Sequence, residues 1–372
     1  VLACCLTGVR AGLLELRWEI LCPSCRTATD TLPSLASLSE HGACQLCEIR
    51  FAIDLDEAVE ATFAPGAAVR AVDSGPYCIG GPARTPHVLA QAILPPGGEA
   101  RLPAPVEEGS YRVFVRGGAF FPIEVRATAP KEVCVVDAEN NELEGRPRAS
   151  VEVAPGGTVV VSNPEAEERH VKLERLVWAD QGARARFVTT MPGFRRDFSS
   201  EILRPGMALK MSRVGLFFSD LTASTQLYSH AGDAAAFKLV QDHFDVVIGV
   251  VERHSGTLVK TIGDAVMAVF ADDVDGLVAS VEILHAFEDF RRAHEIRGTT
   301  HIKLGVFGGP CYVVTANGIL DYFGQTVNLA ARLQGEAKSG ELVVEEALAD
   351  RAIASGVLAK ELVRERYEAK LK

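Results

Sequence analysis

The hydrophobic period of the chain changes near Arg213, and this change restricts it to two kinds of fold laid end to end. Ahead of that point lie short alternating or apolar runs: Ser110–Arg116, Pro122–Arg126, Val133–Val136, Thr158–Val161 and His170–Leu176. Turn residues (Gly117-Gly118, Asn140-Asn141, Pro155-Gly156-Gly157) punctuate them, which predicts a small antiparallel β domain. Beyond Arg213 the pattern predicts a strand at Val214–Ser219, then a helix from about Ser224 to His254 with Phe237, Val240, Phe244, Val247, Ile248 and Val251 on its core face. Strands at Leu258–Thr261 and Ala265–Phe270 flank a tight turn, and a helix covers Val274–Arg297. Strands at His301–Val306 and Cys311–Thr315, a helix at Thr326–Gln334, a strand at Glu341–Val344 and a helix at Glu346–Ala354 complete an α+β region with a mostly antiparallel sheet.

A chain of 372 residues, 48% hydrophobic and 23% charged, can bury two or three cores. Its longest apolar stretches, such as Val246–Val251, fall far short of the roughly 20 residues that a membrane helix needs. A formal charge of −11 argues against a clamp for bulk nucleic acid or an anionic membrane. With no secretory pattern at its start, the chain is expected to be cytoplasmic. Both ends read as cut: Val1–Trp18 reads as part of a helix with Leu13, Leu14, Leu16 and Trp18 unpartnered, and Tyr367–Lys372 stops as a strand begins.

The pairs Cys22-Pro-Ser-Cys25 and Cys44-Gln-Leu-Cys47 are each spaced as a knuckle presenting two thiolates to one tetrahedral ion. One structural zinc on Cys22, Cys25, Cys44 and Cys47 is expected, with a full shell and no catalytic water. Two disulfides or a ribbon without metal are the competing readings, the former disfavoured in a reducing compartment. Cys4, Cys5, Cys78, Cys134 and Cys311 have no ligand spacing and read as small buried apolar residues. His170, alone in a strand, reads as structural.

Two carboxylates stand out. Asp220 ends an apolar run and precedes Leu221-Thr-Ala-Ser-Thr225, while Asp264 sits in the turn Lys260-Thr-Ile-Gly-Asp264. An acid at the tip of a buried strand is costly unless it is paired or holds a cation. If the turn lies beside the first strand's end, the pair suits hard divalent ions, and the small hydroxyl-rich run suits a polyphosphate. Helix cap and turn residue are the plainer readings of the same two acids.

Residues 213–372 resemble the class III nucleotidyl cyclase catalytic domain. The resemblance rests on Phe218-Ser-Asp220-Leu-Thr-Ala-Ser-Thr225, Val259-Lys260-Thr-Ile-Gly-Asp264-Ala-Val-Met-Ala, Gly308-Gly-Pro310 and Asp321-Tyr-Phe-Gly-Gln-Thr-Val-Asn328-Leu-Ala-Ala-Arg332, in that order. With a CxxC segment and a β-rich region ahead, the whole also resembles soluble multidomain bacterial cyclases. The resemblance implies a ferredoxin-like-type fold and two Mg or Mn ions per site on Asp220 and Asp264, with the Leu221 carbonyl assisting. It implies that Leu221, Thr222, Ala223, Ser224, Thr225, Ile262 and Gly263 line the substrate, and that Lys370 contacts the triphosphate. Asn328 matches the residue that orients the ribose, and Arg332 the one that stabilises charge at the α-phosphate. Four apart on one helix, both can face one site.

By the same resemblance Lys260 and Asp321 read adenine, Lys donating to a ring nitrogen and Asp accepting from the exocyclic amine. A guanylate cyclase is expected to carry Glu and a smaller polar residue there. The expected activity is conversion of ATP to 3′,5′-cyclic AMP and pyrophosphate at a head-to-tail homodimer interface, since the chain holds both halves of the site. A guanylate cyclase and a silent nucleotide-responsive module are the alternatives, and a regulatory protein or ligand is a possible partner of the upstream region. Phe307 departs from the polar residue common in relatives, outside the core set. The expected organisation is a truncated helical remnant at 1–20, a zinc-ribbon-like segment at 21–60, a Pro/Gly-rich linker at 61–107, a β-rich regulatory domain at 108–210 and the truncated catalytic domain at 211–372.

Overall fold

The computed structural model describes residues 1–372 except 24–25, 71–86, 117–119, 137–141, 144–149, 176–181, 224–232, 295, 297–299, 364 and 369–372. The chain divides into two compact units: Ala11–Pro33 with Leu38–Arg184, and Val1–Arg10 with Ser34–Ser37 and Ala185–Lys372.

In the first unit, β1 (Leu14–Leu21) runs antiparallel between β2 (Ala28–Leu32) and β5 (Val59–Pro65). This corrects the helical reading of residues 1–20: only α1 (Leu2–Arg10) is helix. Leu14, Leu16, Trp18 and Ile20 alternate with polar residues, a period of two, and the alternation buries Trp18 and Ile20 in the sheet. β3 (His41–Cys44) and β4 (Ile49–Ala52) form a hairpin that β11 (Glu142–Leu143) extends in parallel.

Farther along, β6 (Val88–Leu94), β7 (Glu99–Pro103), β8 (Gly109–Val115), β9 (Phe120–Val125), β10 (Glu132–Val136), β12 (Val151–Val153), β13 (Thr158–Ser162) and β14 (Arg169–Arg175) form two sheets, ordered β12-β9-β8-β14-β6 and β10-β13-β7. Leu94, Val113, Ile123 and Leu173 of one meet Leu102, Val159 and Val161 of the other in one core, as in a sandwich. Two expectations are corrected. The stretch 61–107 contains β6 and β7, because Pro95–Gly98 is a turn closed by the Gly98 amide on the Pro95 carbonyl at 2.8 Å. The β9–β12 and β10–β13 pairs are parallel, so the region is mixed.

The second unit is α+β. β15 (Ala208–Leu221), β16 (Thr257–Ile262), β17 (Ala265–Phe270), β18 (Ile302–Ala316) and β19 (Ile319–Phe323) form an antiparallel sheet in the order β16-β17-β15-β18-β19, and β20 (Leu342–Val344) adds in parallel to β18. Ahead of β15 come α2 (Ala185–Thr190) and α3 (Pro192–Asp197), so residues 185–207 join this unit and not the β-rich one. α4 (Asp233–Arg253) and α5 (Asp273–Ala293) bury Val247, Val251, Ile283 and Phe287 against Phe217, Leu304 and Val306 of the sheet. Phe237 is 62% exposed, not core; Ala236, Val240, His243 and Val247 hold the inward line at true helical spacing. α6 (Gln325–Glu336) and α7 (Glu346–Ala354) follow β19 and β20.

β18 is one continuous strand where a break at Gly308-Gly309-Pro310 was expected. A Cβ at Gly308 would lie 1.8 Å from Asp273 Oδ2, one at Gly309 2.9 Å from Thr326 Oγ1, and one at Gly305 2.3 Å from the Gln334 amide nitrogen. These glycines admit α5 on one face and α6 on the other; they do not mark a turn. Asp273, buried at the start of α5, accepts from Arg213 at 2.8 Å and Arg351 at 2.7 Å. No described helix is long and apolar enough to cross a membrane.

Candidate active site

Asp220 and Asp264 emerge at the same end of adjacent antiparallel strands. The β15–β17 register pairs Ser219 with Val266, so Asp220 follows at the end of β15 just where β17 begins from the turn that holds Asp264. Ile262 and Ala265 pair across that two-residue turn, and φ is +64° at Gly263 but not positive at Asp264. This is the type II′ pattern, which wants glycine first and leaves the acid at the tip. Asp264 Oδ2 is buried and accepts no hydrogen bond from a described residue. An ionised oxygen left so is unfavourable unless a cation meets it. Asp220 is paired across β18 with Lys303, whose Nζ lies 2.9 Å from Oδ2. These hard oxygens, one buried without a donor, fit divalent ions.

His243 of α4 belongs to none of the motifs above. Its Nδ1 lies 2.7 Å from the Val240 carbonyl, and its buried Nε2 has no partner among the described residues. Burial pushes the imidazole below its usual range, while the Val240 carbonyl and the Asp264 and Asp220 carboxylates pull the other way. A histidine inside an apolar helical stripe was the signal available for it.

Lys260 and Asp321 come together although β16 and β19 are opposite edges of the sheet: Nζ bonds Asp321 Oδ2. Asp321 is buried; its Oδ1 accepts from the Tyr322 amide at 2.8 Å. Ile262, 52% exposed, and Gly263 follow Lys260 into the turn, after Thr261. Asn328 and Arg332 lie one turn apart on α6, both exposed, with no side-chain hydrogen bond or ion pair among the described residues. Leu221 ends β15 opposite Ile302, and the Thr222 amide donates to the His301 carbonyl at 2.8 Å, so that amide is engaged within the protein. Ala223 follows with φ at +56°, a left-handed residue turning the chain out of the strand. Ser224, Thr225 and Lys370 lie outside the described residues.

In the other unit the sulfur atoms of Cys22, Cys44 and Cys47, all buried, lie within 4.8 Å of one another. The Arg26 amide turns back to the Cys22 carbonyl at 2.9 Å, as in a knuckle, and Cys25 lies outside the described residues. Three converging buried thiols fit one tetrahedral ion. Cys4 and Cys134 are exposed, correcting their reading as buried; Cys311 is buried, and Cys78 lies outside the described residues.

Residues 207–361 match the family model described as the adenylate and guanylate cyclase catalytic domain. This part of the chain is a class III cyclase domain. Residues 1–76 match a second model, a family of unknown function designated DUF5939. The cyclase domain is similar to that of receptor-type guanylate cyclase gcy-4 of Caenorhabditis elegans, 28% identical over 162 residues covering 40% of this chain and 14% of the relative. An uncharacterised protein of Mycobacterium tuberculosis is 35% identical over 136 residues, 37% of this chain and 33% of the relative. The chain thus spans a third or less of the length of these relatives. Among solved structures, the adenylyl cyclase CyaB of P. aeruginosa is 24% identical, with a TM-score of 0.37, covering 40% of this chain and 83% of that one. The family model is itself named for both purines, so it leaves the base open.

Proposed function

We propose that the chain is an adenylate cyclase that converts ATP to 3′,5′-cyclic AMP and pyrophosphate, with its site shared between two copies of the domain. The observation that carries the choice of purine is the meeting of Lys260 and Asp321. An ammonium beside a buried carboxylate offers one donor and one acceptor, matching the ring nitrogen and exocyclic amine of adenine. Asp220 and Asp264 hold two Mg or Mn ions, which when bound supply charge neutralisation of the triphosphate and acidify the ribose 3′-hydroxyl. The backbone of residues 221–225 holds the phosphates. Asn328 orients the ribose, and Arg332, always charged and forked, takes up charge on the α-phosphate oxygens.

Exposure supports the dimer. Asn328 and Arg332 point to solvent unpartnered, which suits groups that complete a site on a second copy. Head-to-tail pairing gives each of two sites the aspartates of one subunit and the helix pair of the other. The β-rich unit reads as regulatory, and the chain's setting as cytoplasmic.

The test is substrate preference. Lys260→Glu with Asp321→Cys is expected to reverse the ATP-over-GTP ratio of kcat/KM, by about 10²-fold or more, since each reversed hydrogen bond is worth ~1–3 kcal/mol. An unchanged ratio in a folded, active double variant would overturn the base reading.

A structural zinc on Cys22, Cys25, Cys44 and Cys47 belongs to the same proposal. Purified protein is expected to carry one zinc per chain by elemental analysis. Cys44→Ser should lose it and lower the thermal midpoint, because metal binding is folding free energy in so small a cluster. Zinc-free protein with an unshifted midpoint after chelation would contradict the assignment.

A further inference from the structure

β19 is an edge strand, and alternate residues of an edge turn their backbone groups away from the sheet. Side chains take these groups at Leu320 and Tyr322, the two neighbours of Asp321. The Leu320 carbonyl accepts from Arg195 Nη1, and the Tyr322 amide donates to Asp321 Oδ1 at 2.8 Å. Arg195 Nη2 also donates to the Tyr322 hydroxyl at 2.8 Å, its guanidinium lies over the Tyr322 ring 5.4 Å from the centroid, and Nε donates to the Thr189 carbonyl at 2.8 Å. Tyr322 is buried, so the bond to its hydroxyl is shielded from competing water.

Arg195 belongs to α3, ahead of the residues that match the cyclase family, and to none of the motifs above. α3 also packs against β16, the strand of Lys260. One short helix therefore touches both strands that carry the base-reading pair. A continuous run of contacts leads from Arg195 through Tyr322 and Asp321 to Lys260. The bonds Arg195 makes through all three of its nitrogens go to the protein, which separates it from a ligand of substrate.

We infer that Arg195 is a positioning residue for base recognition: from ahead of the residues that match the cyclase family it fixes β19 at Leu320 and Tyr322, and so sets the carboxylate of Asp321 against Lys260. The inference deepens the Lys260–Asp321 reading and rests on it. Lysine cannot replace it, since a single ammonium does not reach the carbonyl, hydroxyl and helix end together in one plane.

The test measures kcat and KM for ATP and GTP with the full chain. Arg195→Met, which keeps the apolar stem, is expected to raise KM for ATP about ten-fold and lower the ATP-over-GTP ratio of kcat/KM about ten-fold, with kcat within about three-fold, the scale of one or two hydrogen bonds from a charged donor. Arg195→Lys should behave similarly, and Tyr322→Phe, which removes only the hydroxyl, should move the ratio in the same direction by about two- to five-fold. A purely structural role predicts instead a lower thermal midpoint with both purines affected equally; an unchanged ratio in the folded Arg195→Lys and Tyr322→Phe proteins would overturn the inference even if Arg195→Met fails to fold. The Lys260→Glu, Asp321→Cys protein separates the two claims. A changed ratio there with unchanged Arg195 and Tyr322 variants defeats the positioning role alone, and an unchanged ratio in the double variant defeats both.

Discussion

Asp264→Ala is expected to abolish cyclic nucleotide formation, by at least about 10³-fold in kcat at saturating Mg or Mn, without weakening the fold, since the divalent ions carry much of the transition-state charge. The second half of that expectation distinguishes a metal carboxylate from a structural one. Asp264 stands at the tip of a type II′ turn with one buried oxygen that accepts nothing from a described residue. Removing such a group relieves a desolvation penalty of ~1–3 kcal/mol, so the thermal midpoint should stay level or rise. Asp273 is the contrast within the same unit: also buried, it is held by Arg213 and Arg351 and serves the packing of α5 on the sheet. The measurements are turnover against metal concentration and a thermal scan of the same preparation. Activity retained by Asp264→Ala would remove the two-metal assignment; loss of activity through unfolding would mean that the acid is structural.

Arg332→Ala is expected to lower kcat by about 10²- to 10³-fold while KM for ATP moves by no more than about three-fold, the signature of a contact made in the transition state. Folding should be unaffected, because the side chain is exposed and makes no bond among the described residues. The same exposure gives a sharper check. If the aspartates of one copy work with the helix pair of another, mixing inactive Asp264→Ala and Arg332→Ala chains restores activity. Random pairing makes half the dimers mixed, each with one intact site of two, so about a quarter of the wild-type rate returns. No recovery in a demonstrably mixed dimer would place both residues in one subunit's site and overturn the shared-interface reading.

Local chemistry made much of the cyclase domain legible. The Ile-Gly-Asp turn between two apolar runs requires a tight hairpin, and β17 falls at Ala265–Phe270 as read. The 325–336 helix was legible because Thr326, Ala330 and Leu333 keep helical spacing. Other elements were misread for identifiable reasons. Leu14, Leu16 and Trp18 alternate, but just after a helical run their apolar content also fits its continuation, which hides β1. The glycines at 305, 308 and 309 looked like punctuation, whereas they clear room for Gln334, Asp273 and Thr326, neighbours that no local rule names. Long-range contacts were the least legible part. Lys260 meets Asp321 from the far edge of the sheet, and Arg195 reaches Leu320 and Tyr322 from ahead of the family-matched residues. The cysteine pairs predicted a converging site, and three of the four do converge among the described residues.

The most direct test of the central claim is cyclic nucleotide production by the purified chain with Mn, given ATP or GTP in separate reactions and read by chromatography of the product. Cyclic AMP and pyrophosphate formed from ATP, with little cyclic GMP from GTP, is the result predicted by Asp220, Asp264, Asn328 and Arg332 acting with the Lys260–Asp321 pair. Cyclic GMP as the dominant product, or no cyclic nucleotide from either substrate, would contradict it.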